Sequence, residues 1–118
     1  MNKKIWGQLL SIDPHECDHK TLTTKSKLAE FCTTLCKEIK MQPYGRPIVK
    51  RFGDGDLEGN TAVQLIQTSN ITVHCDEIYD RTFIDIFSCK TFNAEKAKKY
   101  CQTFFKAKKL KFKNTYRG

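Results

Sequence analysis

An α+β two-layer sandwich, with one mainly antiparallel sheet and two helices on one of its faces, is the fold class this sequence predicts. Three observations lead there. Apolar residues recur at three- and four-residue steps in two separate segments, 24–41 and 94–108, the period of a helix with one buried side. The chain between them breaks into short runs rich in Val, Ile, Thr and Phe, bounded by Gly, Pro, Asn and Asp. A length of 118 residues with 39% hydrophobic content supplies one core of helices against a sheet and is too short for two independent cores, so residues 1–118 form a single domain.

Taken in order, residues 4–12 alternate loosely and read as a first strand, closed by Asp13-Pro14 because proline lacks the amide donor a ladder needs. Metal-ligand residue types crowd into His15-Glu16-Cys17-Asp18-His19, but a centre there would need a further ligand from elsewhere. In a polar loop such residues more often mean turn chemistry, and no metal is expected. Along 24–41 the buried stripe is Leu28, Phe31, Cys32, Leu35, Cys36 and Ile39, with lysines opposite. Two prolines and a glycine within 42–47 end that helix. Residues 48–52 form a second strand, followed by a flexible acidic loop, 53–59, that completes neither a phosphate-loop nor a calcium-loop pattern. Strands three to five are 61–67, 71–75 and 82–88. Asn93 caps a second helix, 94–108, whose stripe is Ala97, Tyr100 or Cys101, Phe104 and Phe105. Residues 109–113 alternate lysine with apolar side chains, a final strand whose lysines guard a sheet edge. The order is therefore strand, helix, strands, helix, strand.

Charge is uneven along the chain. Residues 90–118 carry ten Lys/Arg against one acid, net +9, while residues 1–89 carry eleven against twelve, net −1. A basic quarter suggests a nucleic-acid partner, yet these lysines alternate with core positions and no glycine-aromatic RNA-binding signature accompanies them; a solvated helix face explains them, and nucleic acid is not favoured. No apolar stretch approaches the roughly 20 residues of a membrane span, and the first ten residues lack a signal-peptide core. The expectation is a cytoplasmic protein whose six cysteines are reduced, with Cys32, Cys36 and Cys101 in the core. The run 82–88 is apolar on both parities, Phe83 and Phe87 on one side and Ile84 and Ile86 on the other. Two helices cover one face of a sheet, so the second face calls for another subunit and predicts a homodimer.

The chemistry concentrates between Thr61 and Cys89, TAVQLIQTSNITVHCDEIYDRTFIDIFSC. Two apolar runs meet at the polar joint Thr68-Ser69-Asn70, followed by His74, an acidic loop and a run ending in Cys89. Taken singly, these residues read as a strand-end hydroxyl, a half-buried strand histidine and a small core residue. Plain alternation puts Ser69 and His74 on opposite faces of one strand. A turn or bulge near Ser69-Asn70 is what would bring them together.

Thr61, TSNITVH over 68–74 and DIFSC over 85–89 together resemble the bacterial and archaeal S-adenosylmethionine decarboxylases, whose typical run is ESHISIH followed by DIFTC. The spacing agrees without gaps from Thr61 through Cys89, and the likeness continues more weakly to the final Arg-Gly. Members of that family are small pyruvoyl enzymes that cut themselves before a serine. The resemblance implies that the Ser69 hydroxyl attacks the Thr68 carbonyl to give an ester, that elimination then frees residues 1–68, and that residues 69–118 begin with a pyruvoyl group. It further implies that His74 is the processing histidine, that Thr61 stands for a serine assisting the ester stage, and that Cys89 is the general acid of decarboxylation. Such chemistry fits these residue types: loss of carbon dioxide leaves a carbanion, a pyruvoyl carbonyl joined to the substrate amine as a Schiff base is an electron sink, and a thiol can return the proton. No separate cofactor is needed. The implied role is supply of the aminopropyl donor for polyamine synthesis.

Three positions depart from the family pattern. Thr68 replaces a glutamate, Asn70 replaces a histidine, and Asp76-Glu77-Ile78 replaces the Trp-Pro-Glu that helps hold the adenosyl group. Asp76 and Glu77 are then the substrate-binding candidates. Acidic loops around the centre also suit the distal cation of ornithine or arginine, so a basic amino acid is the alternative substrate. A homologue that leaves Ser69 in the chain and binds or regulates is the alternative to an enzyme.

Overall fold

A computed structural model describes residues 4–118. Its strands are β1 (Gly7–His15), β2 (Ile48–Phe52), β3 (Gly59–Ile66), β4 (Ser69–Asp76), β5 (Arg81–Ser88) and β6 (Lys109–Arg117), and its helices are α1 (His19–Thr23), α2 (Lys25–Glu38) and α3 (Ala94–Phe105). All six strands join one antiparallel sheet in the order β2-β3-β4-β5-β1-β6. α2 packs over β3 and β2, and α3 over β1 and β6, so both long helices share a face. The α+β sandwich expected from the sequence is the fold observed.

The period-two pattern explains why this face is the core. Leu10, Ile12, Ala62, Ile66, Ile71, Val73, Ile84 and Ile86 alternate inward along four strands and are buried. Leu28, Phe31, Cys32, Leu35 and Cys36 of α2 and Ala97, Cys101 and Phe105 of α3 meet them. Phe31 is the hub of the helix pair, its ring centroid 5.6, 5.2 and 4.9 Å from those of Tyr100, Phe104 and Phe105. The side chain of Asn93 caps α3 by accepting from the Lys96 amide at 3.0 Å.

Two details differ from the sequence reading. β1 runs on through Asp13 and Pro14 to His15, because past Ile12 its only ladder is with β6; the β5 register stops at Ile12↔Ile84, and Pro14 needs no donor on that side. The loop around His15–His19 contains the short helix α1, whose N-cap Asp18 accepts from the Thr21 amide and hydroxyl at 3.1 and 2.7 Å. Among the described residues no three His, Cys, Asp or Glu side chains converge as a metal site would require. β6 is an edge strand, as its lysines suggested, and all six cysteines are free thiols, with Cys32, Cys36 and Cys101 buried. No helix among the described residues is long and apolar enough to cross a membrane.

Among the described residues no helix covers the other face of the sheet. Lys50, Thr61, His74 and Phe83 form one cross-strand row on it, and Val63, Thr72, Asp85, Ser11 and Lys113 the next. Leu65, Asn70, Phe87, Leu9 and Thr115 form a third. This mixture of apolar and reactive side chains is the surface for which the sequence asked a covering subunit.

Candidate active site

β3 and β4 form a hairpin with a two-residue turn, Gln67-Thr68, so that Ile66 pairs with Ser69 and the ladder continues without interruption to Thr61 and His74. The turn therefore precedes Ser69, and β4 contains no bulge at Ser69-Asn70. An unbroken register preserves alternation, leaving Ser69 on the helix side with Ile71 and Val73, and His74 on the open side. Five residue steps along the strand separate them by roughly 17 Å at ~3.4 Å per residue. Within one chain the structure does not bring Ser69 and His74 together.

The candidate residues fall instead into two separate groups. At the head of β4, the Cys89 amide donates to the Thr68 carbonyl at 3.0 Å, so the strand end that carries the cysteine is tied to the peptide preceding Ser69. The Ser88 hydroxyl donates to Thr68 Oγ1 at 2.7 Å. Ser69 lies between Ile66 and Ser88 in the ladder and makes no side-chain hydrogen bond among the described residues. Further along the hairpin, on the open face, Thr61 Oγ1 stands 3.3 Å from His74 Nδ1. That pair follows from register alone, Thr61 and His74 being direct cross-strand partners.

Beside His74 opens a cavity of about 390 Å³, with Asp56, Leu57, Asp76, Tyr79, Arg81 and Phe83 among its walls. Both substrate-binding candidates already hold an arginine. Asp76 accepts from Nε of Arg81 at 2.7 Å and also from its Nη2, and the Arg81 guanidinium lies 5.0 Å from the Tyr79 ring centroid and 5.5 Å from that of Phe83. Glu77 receives both terminal nitrogens of Arg51, whose Nε reaches Glu58 at 2.8 Å. The hydrogen bonds to Glu77 and then Glu58 raise the arginine pKa further above its ordinary value. A separate hollow of about 450 Å³ between the helices, flanked by Lys20, Lys27 and Lys106, contains none of the reactive residues.

The thiols divide by environment. Burial pushes Cys17 and Cys32 up to about 12 and Cys36 and Cys75 up to about 11, and raises Cys101 as well; Cys17, Cys32, Cys36 and Cys101 are buried in the core, whereas Cys75 is half-buried and lines the cavity beside His74. Cys89, half-buried at the end of β5, is the cysteine that adjoins the joint. Sequence reasoning missed Ser88, Arg51 and Arg81. Ser88 was visible as a hydroxyl within DIFSC at an inward parity, whereas the arginines carried no signal, their partners lying across strand pairs.

The sequence profile of the S-adenosylmethionine decarboxylase family matches residues 8–118. Comparison with curated proteins finds no match. Among solved structures, the crystal structure of the adenosylmethionine decarboxylase from Aquifex aeolicus VF5 superposes with a TM-score of 0.81 at 19% identity, over 98% of this chain and 92% of that one.

Proposed function

The chain belongs to the S-adenosylmethionine decarboxylase family, and we propose that it is a self-processing, pyruvoyl-dependent decarboxylase, cut between Thr68 and Ser69 and acting on S-adenosylmethionine for polyamine synthesis. The observation that carries this reading is the hydrogen bond from the Cys89 amide to the Thr68 carbonyl, next to an unengaged Ser69 hydroxyl. An amide aimed at that oxygen stabilises the negative charge that develops when Ser69 Oγ adds to the carbonyl carbon. The C–N bond then breaks, the hydroxyl proton passes to the Ser69 nitrogen, and an ester replaces the amide. Loss of the Ser69 α-proton expels the Thr68 carboxylate; tautomerisation and hydrolysis with release of ammonia leave the ketone of a pyruvoyl group.

The strand register supports such a cut. Residues on either side of the joint remain paired, β4 to β3 from Ser69 to His74 and β4 to β5 along its whole length, so residues 1–68 and 69–118 stay one sheet. When present, the pyruvoyl ketone supplies the electron sink for decarboxylation. Cys89 Sγ holds the proton that returns to the former α-carbon. The aromatic and aliphatic walls of the cavity beside His74 suit a flat nucleoside, with Asp76 and Arg81 as its polar contacts and Glu77 fixing Arg51 behind them.

Completion of the site calls for a second chain. A two-fold axis crossing β4 between Ile71 and Thr72, in the plane between two open faces about 10 Å apart, sets the partner's His74 over Ser69 and the partner's Thr61 over the neighbouring Ile66. The homodimer then covers the exposed face and brings the partner's imidazole to the backbone of Ser69 from the side opposite its hydroxyl, where the α-proton of the ester must be removed.

Intact mass under denaturing conditions tests the reading. The expected result is two fragments split before Ser69, the second beginning with a ketone, and a single 13.7 kDa chain for Ser69→Ala. A wild-type chain that stays whole after long incubation refutes it in favour of a non-processing binding or regulatory homologue. Among substrates offered to the cut protein, turnover of ornithine or arginine in place of S-adenosylmethionine would assign the cavity carboxylates, Asp56 first, to a distal cation.

A further inference from the structure

The turn that presents the proposed cut is not self-supporting. Two-residue hairpin turns match the twist of their strands when a central residue takes positive φ, yet neither Gln67 nor Thr68 does so. Its shape depends on bonds from outside: Gln67 donates its amide to the Gln42 carbonyl at 2.9 Å, and Thr68 is held through both carbonyl and side chain. A directional relay holds the side chain. The Lys90 amide donates to Ser88 Oγ at 3.0 Å, Ser88 Oγ donates to Thr68 Oγ1 at 2.7 Å, with Met41 Sδ a more distant acceptor at 3.8 Å, and Thr68 Oγ1 donates to Met41 Sδ at 3.5 Å. Ser88 is fully buried, so its hydroxyl has no water to exchange for Thr68.

Resting on the self-processing reading, we propose that Ser88 is a positioning residue for the cut. Its grip on the Thr68 hydroxyl fixes χ1 of a β-branched residue and, through it, the peptide plane whose carbonyl oxygen must stay on the Cys89 amide while its carbon faces Ser69 Oγ. In this chain Thr68 stands where glutamate is usual, and Ser88 makes the shorter of the two hydrogen bonds to its side chain, the other going to Met41. Its action falls before the ester forms: no bond is made or broken at Ser88, and it does not touch the reacting atoms.

The test compares cleavage rates of purified wild type, Ser88→Ala, Ser88→Thr, Thr68→Val and the Ser88→Ala/Thr68→Val double variant by intact mass, with thermal melting of each as the control. Parallel incubations contain hydroxylamine, which intercepts the ester. Ser88→Ala is expected to slow cleavage about tenfold, the scale of one lost buried hydrogen bond, and to slow hydroxylamine release equally. Ser88→Thr restores the rate, Thr68→Val reproduces the loss at nearly constant volume, and the double variant is no slower than either single. Full-rate cleavage by folded Ser88→Ala, or losses that multiply in the double variant, would overturn the assignment while leaving self-processing intact. Should Ser88→Ala fail to fold, Thr68→Val decides alone, and its full-rate cleavage has the same meaning. Wild type that stays whole and is inert to hydroxylamine removes the self-processing reading and Ser88 with it.

Discussion

Cys89 and His19 show how differently single residues act here. Cys89 contributes its amide to the joint and, in the proposed reaction, its thiol to turnover. Cys89→Ala keeps the amide, so cleavage should proceed near the wild-type rate while decarboxylation slows and a transamination-like product accumulates, read by intact mass and product analysis. Full turnover with a clean product would remove the thiol from the mechanism. His19, outside the site, pins the β4–β5 loop by a 2.6 Å bond between its Nδ1 and Asp80. That hydrogen bond first, then the charges of Asp80, Glu77 and Asp18, raise the imidazole above its ordinary 6.5 against the opposing effect of desolvation. Since folding raises this pKa, the stabilisation is complete below 6.5 and is lost as pH climbs through the higher folded value. His19→Gln should therefore flatten the gain in Tm that wild type shows on going from about pH 8 to about pH 6; parallel curves would deny the linkage.

Among the elements, α2 and α3 were legible because their apolar stripes have the helical period, with Phe31 and Phe105 fully buried where the two helices meet. The stripe also names the weakest substitution point. Phe31→Ala removes the ring that packs against three others and should cost about 3–5 kcal/mol in denaturant unfolding; a loss under about 1 kcal/mol would mean the helix pair does not depend on it. Strand ends were less legible. Pro14 looked like a stop, yet whether a proline breaks a ladder depends on which neighbour lies on its donor side, and that is a property of the sheet order. The same holds for the Gln67-Thr68 turn, which has no Asn-Gly or Gly-Gly signal and is held by Gln42, Ser88 and Cys89 from elsewhere in the chain.

For the whole molecule, the uncovered face and the two separate groups of candidate residues point to one arrangement, and mixed dimers test it directly. Ser69→Ala and His74→Ala chains should each stay uncut alone. Co-expressed, they should give heterodimers in which only the His74→Ala chain is cut, because the Ser69→Ala chain lends its histidine. Sedimentation of wild type as a dimer belongs with that outcome. Complementation failing in a proven heterodimer would place cleavage within one chain and require β4 to rearrange.

By itself the sequence determined the fold class, the buried stripes and the Thr61–Cys89 motif. Each of these rests on local periodicity or fixed spacing, which residue order encodes directly. Only the tertiary structure decided that Thr61 meets His74 while Ser69 faces away from both, that Asp76 and Glu77 are already engaged by Arg81 and Arg51, and that Ser88 and Cys89 hold Thr68. Those are contacts between strands, and register, sheet order and turn position set them together once the chain has closed on itself.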